Sequence, residues 1–346
     1  MTKLSSARRA RRLCGLVVAS ALAAGLLAAC STSGSPSTPK TVFHTVTAGP
    51  TGSSAPASGQ PSTAPNLPQK TVRVTSLESD GSTYGVGMPI VLYFSPAPTD
   101  STAFTKAVQV TVNGAPAGGA WFWEQPTADE KKTNTIEAHY RPKTYWPGHA
   151  QIHVGIPIGG LSAGNTKHNS LVYSGKLTSL DFNIGAAHVS TVNAATHSMA
   201  VTSDGKPVKT IKVSLGEAQT PTYSGVKVVM QKGEDAPGTD KLRPDGAVRM
   251  VGPGYDEIVD WSVRITESGE YVHAAPWNSE IGLQSTSNGC TNLFTADAEW
   301  FYKFSNIGDV VQYPRTDGTL MPSWDGYGDW NLPWGVWSRG GLLLNH

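Results

Sequence analysis

Charge is scarce in this chain of 346 residues: Asp, Glu, Lys and Arg together make up 15% of it. Cysteine is scarcer, at three residues, and the first 29 positions hold no acid. The net charge is only +1, and five of the cations (Lys3, Arg8, Arg9, Arg11 and Arg12) sit in that first stretch. The remainder then has 22 bases against 26 acids, which argues against a nucleic-acid binder, since that would need a basic patch. No apolar run is long enough for a multi-span membrane protein. Two residue types are plentiful instead. The 37 Gly and 24 Pro favour strands, turns and linkers over long helices, while ten Trp and eleven Tyr supply cores and exclude wholesale disorder. The length suits about two domains.

The five cations precede an uncharged run from Leu13 to Ala29, 17 residues ending Leu26-Leu-Ala-Ala-Cys30. A basic start, a short apolar segment and small residues before a cleavage point describe an export signal. Leu-Ala-Ala-Cys resembles a bacterial lipobox, which implies cleavage before Cys30, a lipid on its sulfur and attachment to the outer face of the membrane. The plainer alternative is an ordinary signal with a chance cysteine. Residues 31–70 hold 15 Ser or Thr, seven Pro and four Gly, with Lys40 and Lys70 as their only charges. Such a segment buries too little apolar surface to offset its ordering entropy and reads as a flexible stalk.

If Cys14 leaves with the signal and Cys30 carries lipid, Cys290 is the single thiol expected in the folded part. An exported chain without a possible internal disulfide that still keeps one oxidisable thiol points to a chemical duty. The alternative is a small buried hydrophobe.

From Thr71 the pattern becomes that of strands. Thr71–Thr75, Ile90–Phe94, Val108–Val112, Trp121–Trp123, Glu137–Tyr140, Gln151–Val154 and Lys176–Phe182 are β-branched or aromatic runs between turn clusters. Their number and spacing over residues 71–185 suit an immunoglobulin-like sandwich acting as a spacer or docking module. Residues 186–314 form a second β-rich block. It has a hairpin around Asp204-Gly205, strands at Gly225–Met230, Glu257–Ile265 and Val310–Tyr313, and one short helix, Ala296–Ser305, capped by Thr295. The polar loop Lys232–Gly246 is a lid candidate. Residues 315–346 carry Trp324, Trp330, Trp334 and Trp337 without periodicity. They are expected to pack across the domain, with glycan stacking as the sharper alternative. The expected fold is mainly β throughout.

Cys290 follows Gly289 in Ser287-Asn-Gly-Cys-Thr-Asn292, a turn whose backbone N–H groups can face a reacting carbonyl. A thiol nucleophile needs a base, and among nine histidines only His346 follows the cysteine, so the partner comes from upstream. His273, at the end of a strand and 17 residues earlier, is the candidate. His149 and His153 are about 13 Å apart on a strand and cannot share a metal. His139, His188 and His197 have no ligand-like neighbours in sequence, so no metal site is expected.

The residues Tyr271-Val-His-Ala-Ala-Pro-Trp277, Ser287-Asn-Gly-Cys290-Thr-Asn292, Asp297-Ala-Glu-Trp300 and Gly308-Asp-Val-Val311 resemble the catalytic signature of L,D-transpeptidases. The closer resemblance is to actinobacterial and mycobacterial lipoprotein members that carry an immunoglobulin-like domain before the catalytic one. That resemblance implies an enzyme acting on peptidoglycan stem peptides. Cys290 would attack the carbonyl between the third stem residue and its terminal D-Ala, and His273 would shuttle the proton. The diaminopimelate amine of a neighbouring stem would then take the acyl group, giving a 3-3 cross-link. It further implies substrate contacts at Tyr255, Ser268, Gly269, Trp277, Ser287, Asn288, Gly289 and Asn292, an oxyanion site at the Gly289 and Cys290 N–H groups, covalent inhibition by carbapenems, and no cofactor.

Two positions depart from the family pattern. Asn288 stands where His is usual, which removes a second imidazole from beside the thiol. Ala274 stands where close relatives have Ser. It suffices if His273 is oriented through a backbone carbonyl and fails if a hydroxyl is needed. Both departures imply slower acylation. The alternatives are an L,D-carboxypeptidase, an enzyme attaching proteins to peptidoglycan, or a weakly active wall-binding lipoprotein. A sortase-like reading lacks a Thr-x-Thr-Cys segment.

Overall fold

The computed structural model describes residues 67–125, 135–233, 246–252 and 255–343. Cys14, Cys30, most of the stalk, and residues 234–245 of the lid candidate lie outside them.

The first β unit has its hydrophobic alternation resolved into stacked sheets. One sheet orders Val74–Ser76, Ile90–Phe94, Ile136–Arg141 and Ala120–Glu124; a second is built around Ser179–Ile184, Gln151–Gly155 and Gln109–Val112. A smaller sheet orders Gln69–Val72, Ser170–Tyr173 and Ser162–Asn165. Between them Phe94 meets Phe104 and Trp123 at 5.1 Å and Tyr173 at 5.6 Å between ring centroids. The separations suit aromatic pairing. The run expected as Thr71–Thr75 is two strands broken at Arg73, and the last strand begins at Ser179 rather than Lys176. A helix that composition did not reveal, Ser101–Ala107, is capped by the Asp100 carboxylate, which accepts the Ala103 N–H at 2.8 Å.

All six residues of Ile136–Arg141 are buried. Ile136, Ala138 and Tyr140 face the sandwich core. Glu137, His139 and Arg141 point the other way and are covered by the C-terminal tail. The Arg141 guanidinium lies 4.7 Å from the Trp330 ring and 4.6 Å from that of Trp337, and it donates to the Leu332 carbonyl at 2.8 Å. Trp337 is fully buried and stacks on Phe122. The tail therefore packs through aromatic anchors, but on the first β unit as much as on the second.

The second unit is a five-stranded sheet in the order Lys206–Lys212, Ser198–Ser203, His188–Asn193, Val310–Tyr313, Gly225–Val228, and a four-stranded sheet of Gln231–Lys232, Val263–Arg264, Tyr271–Ala274 and Thr291–Leu293. The strand foreseen over Glu257–Ile265 is interrupted at Trp261, whose φ of 55° turns the chain. Its first half pairs with Val248–Gly252 as a hairpin, Tyr255–Val259. The helix is Thr295–Phe304, with Phe294 at the cap position, so Thr295 does not cap it; Ala298, Phe301 and Tyr302 form its buried face.

The two units share a core: Val86 and Met88 of the first unit lie in one cluster with Val228, Met230 and Val310 of the second unit. Gly85 and Gly87 donate to the Ile307 and Gly308 carbonyls at 2.8 Å, and a Cβ on Gly85 would meet the Asp309 backbone at 2.2 Å. A glycine is required there by close approach. The first unit is thus built onto the second rather than strung beside it.

Candidate active site

Tyr271–Ala274 and Thr291–Leu293 are adjacent parallel strands with every residue buried, as expected of a parallel pair covered on both faces. Val272 and Ala274 belong to the core, so alternation sends Tyr271 and His273 to the opposite face. Register pairs His273 with Asn292 and Val272 with Thr291, which places Cys290 level with Tyr271, one diagonal step from His273 on that same face. Both line a cleft of about 550 Å³. The hairpin 248–259 overhangs it through Arg249, Met250 and Val251, and Trp277, 54% exposed, stands at the rim.

Gly289 has φ of 110°, a conformation that admits glycine and almost nothing else, and this is what presents Cys290 at the end of the turn. The Ser287 hydroxyl donates to the Cys290 carbonyl at 2.6 Å and accepts the Gly289 N–H at 3.2 Å. The Ser287 hydroxyl closes the turn while the residue also lines the cleft. The Gly289 N–H, expected at the oxyanion, already has a partner. The underside of the turn is held by Thr222, whose hydroxyl donates to the Gly289 carbonyl at 2.7 Å.

The His273 Nδ1 lies 2.8 Å from the Ala274 carbonyl oxygen. A carbonyl only accepts, so Nδ1 carries the proton and Nε2 keeps its lone pair. Ala274 therefore suffices, because the orienting group is backbone. Burial pushes the imidazole down to about 4, against a smaller opposing pull from the Ala274 carbonyl. Burial also pushes the half-buried Cys290 thiol up to about 11. The Tyr271 backbone N–H and Lys227 oppose that rise, and Glu270 adds to it. The resting pair is thus a neutral thiol beside a neutral imidazole. Burial thus keeps the imidazole uncharged at neutral pH.

Ser268 and Gly269 occupy the turn before Tyr271 rather than the strand itself. Asp325 of the tail grips that turn from behind, accepting the Ser268 N–H at 2.7 Å and its hydroxyl at 2.6 Å. The Gly269 carbonyl faces the Cys290 sulfur at 3.8 Å. Asn288 is exposed at the rim, and Asn292 is buried with its Oδ1 lacking a hydrogen-bond partner. Tyr255 opens its strand, and its side chain lies outside the described structure.

Sequence reasoning missed a buried ion pair behind the turn. Lys227, fully buried, donates to Glu270 Oε2 and lies 3.9 Å from the Tyr313 ring centroid; Glu270 Oε1 accepts the Tyr223 N–H at 2.7 Å. The available signal was a lysine inside the apolar run Gly225-Val-Lys-Val-Val229. His139 was also misjudged as lacking ligand-like company, because its neighbours Glu124 and Asp329 are distant in sequence.

Residues 187–312 match the L,D-transpeptidase catalytic domain, and residues 33–162 match a bacterial Ig domain. The chain is 31% identical to L,D-transpeptidase 2 of Mycobacterium tuberculosis over 76% of its own length and 61% of that relative's. It is 28% identical to L,D-transpeptidase 1 of the same species over 68% of its length and 81% of the relative's. It thus spans about three-fifths of the length of the first of these relatives. A crystal structure of an L,D-transpeptidase from M. tuberculosis superimposes with a TM-score of 0.50 at 28% identity, covering 69% of this chain and 96% of that one. A structure of the LD transpeptidase LdtMt1 in complex with imipenem shares the fold, with a TM-score of 0.50 at 24% identity. The parallel strands that bring Cys290 and His273 into one cleft lie within the segment 187–312 that matches the L,D-transpeptidase catalytic domain, which follows the segment 33–162 that matches a bacterial Ig domain.

Proposed function

We propose that the cleft catalyses L,D-transpeptidation between peptidoglycan stem peptides, with Cys290 as nucleophile and His273 as proton shuttle. The observation that carries this is the fixed tautomer of His273. With Nδ1 committed to the Ala274 carbonyl, Nε2 is the free base on the cleft side, one register step from the thiol. Nε2 takes the thiol proton as sulfur attacks the carbonyl between the third stem residue and D-Ala. The proton then passes to the departing D-Ala amine, the amide C–N bond breaks and a thioester remains. The amine of a second stem attacks that thioester, His273 takes its proton, and the thiol is restored as the new amide forms. The Cys290 N–H serves the oxyanion, a contribution of about 3 kcal/mol per donor. Asn292, with its unpaired buried acceptor, suits a substrate N–H.

The same reading makes carbapenems covalent inhibitors at Cys290 and makes Cys30 the lipid-bearing residue of a cell-envelope protein; the Leu26–Cys30 sequence supports the latter. Mass spectrometry of the protein extracted from membranes tests the anchor directly, by the mass of its N-terminal peptide. For the activity, the mature chain is incubated with disaccharide-tetrapeptide. Release of D-Ala together with cross-linked dimers is expected, with both lost in Cys290→Ala and His273→Ala. Release of D-Ala without dimers indicates a carboxypeptidase. A chain that neither releases D-Ala nor forms a carbapenem adduct is a wall-binding protein.

A further inference from the structure

Away from the cleft, where the tail crosses the first β unit, three carboxylates converge on one buried imidazole. His139 Nδ1 lies 2.8 Å from Asp329 Oδ1 and 3.3 Å from Glu124 Oε1, while Nε2 lies 3.1 Å from Glu137 Oε2. None of the four residues is more than 9% exposed, and Asp329 is fully buried. Glu124 and Glu137 sit directly opposite each other in antiparallel register, a placement of like charges that destabilises a strand pair unless something neutralises it. Arg141, two residues beyond His139, hydrogen-bonds backbone carbonyls and lies over tryptophan faces, and it meets Asp329 only through longer-range attraction.

The hydrogen-bond count does not close. A ring nitrogen carries at most one proton, and the one at Nδ1 is directed to Asp329. Glu124 Oε1 is therefore aimed into the cluster with no hydrogen-bond partner, and Asp329 Oδ2 is likewise unpaired. Glu124 Oε1, His139 Nδ1 and an Asp329 carboxylate oxygen all lie within 4.8 Å of one another. On its other side, Glu137 accepts from Nε2, the arrangement by which an outer carboxylate fixes a metal-binding histidine with its opposite nitrogen free.

We propose that Glu124, His139 and Asp329 form a structural site for a divalent cation, zinc by its mixed nitrogen and oxygen donors. Binding displaces the Nδ1 proton and gives both carboxylates a common partner. A cavity of about 730 Å³ lies beside the cluster, lined by Glu137 and His139. The ion joins two strands of the Ig sheet to the tail turn Gly328–Asn331, four residues beyond the Asp325 that grips Ser268 at the cleft.

The test uses the full mature chain in a Cys290→Ser background, so that the thiol and His273 do not compete for metal. After EDTA treatment and dialysis against zinc, metal analysis is expected to find one ion per chain. The melting temperature is expected to rise by about 5 °C at a hundredfold excess over Kd. Cobalt in place of zinc should show visible d–d bands. Glu124→Gln, which keeps the side-chain volume, and Asp329→Asn should each abolish stoichiometric uptake. If either variant fails to melt cooperatively, the other and the parent chain decide. Absence of bound zinc, manganese or calcium in the parent chain overturns the site. Full uptake by a folded Glu124→Gln chain overturns it equally, since the ion is then held elsewhere.

Discussion

Burial of the Cys290–His273 pair has a consequence that alkylation kinetics read directly. A thiol pushed up to about 11 is about 0.01% thiolate at pH 7, whereas a free cysteine near 8.5 is about 3%. That ratio of roughly 300 is offset by the greater intrinsic nucleophilicity of the more basic sulfur, about tenfold over 2.5 units. Iodoacetamide, which gains little from a base on the enzyme, should therefore modify Cys290 about 20- to 30-fold more slowly at pH 7 than it modifies a cysteine peptide, and the rate should keep climbing to about pH 11. Acylation by a stem peptide or a carbapenem should behave differently, because His273, pushed down to about 4, is an unprotonated base across the physiological range. Its rate should rise through about pH 4 and then stay flat until the thiol itself ionises. Substitution His273→Ala should remove the flat region and leave only the thiolate-dependent climb. The assay is stopped-flow alkylation and acylation across pH 4–11. An alkylation midpoint below pH 8 would mean a resting thiolate–imidazolium pair and would refute the argument from burial.

Glu270→Gln leaves the Lys227 cation buried without its counter-charge and should cost about 3–5 kcal/mol in calorimetric melting, while Lys227→Met/Glu270→Leu should recover more than half of that; a single-variant loss below about 1 kcal/mol contradicts the pair's role. Asp325→Ala frees the Ser268 turn from two hydrogen bonds to a carboxylate and should lower kcat/KM about tenfold, although Asp325 itself does not line the cleft; unchanged kinetics would show that the turn holds itself. Asn288→His restores a titratable imidazole at the rim and should accelerate carbapenem acylation near neutral pH, as measured by adduct formation over time. Gly289→Ala, at φ of 110°, should destabilise the turn by about 1–2 kcal/mol and slow acylation more than it lowers the melting temperature.

Much of the fold was legible because alternation and turn chemistry are local. The hairpin at Asp204-Gly205, Ile90–Phe94 and Val310–Tyr313 fall where their residues say they should. Glu257–Ile265 was misread as one strand because nothing in composition marks Trp261 for a positive φ. The helix cap was misplaced by one residue for a similar reason: Thr295 is a good capping type, but packing of Ala298, Phe301 and Tyr302 sets the entry angle. At the site, Cys290, His273 and the glycine turn could be read from order and spacing. Ser287 could not be sorted into substrate contact or turn closure, because a hydroxyl serves either and only its distance to the Cys290 carbonyl decides.

By itself the amino-acid order determined the β architecture, the cysteine that follows a glycine turn and the histidine able to serve it. These depend on period, residue type and chain order. Tertiary structure alone decided the protonation of that pair, since a pKa responds to desolvation and to charges such as Lys227, which arrives from another strand. It also decided that His139 meets Asp329 across 190 positions of sequence. Contacts of that separation depend on how the tail folds back over a sheet, and no local pattern of side chains carries that information.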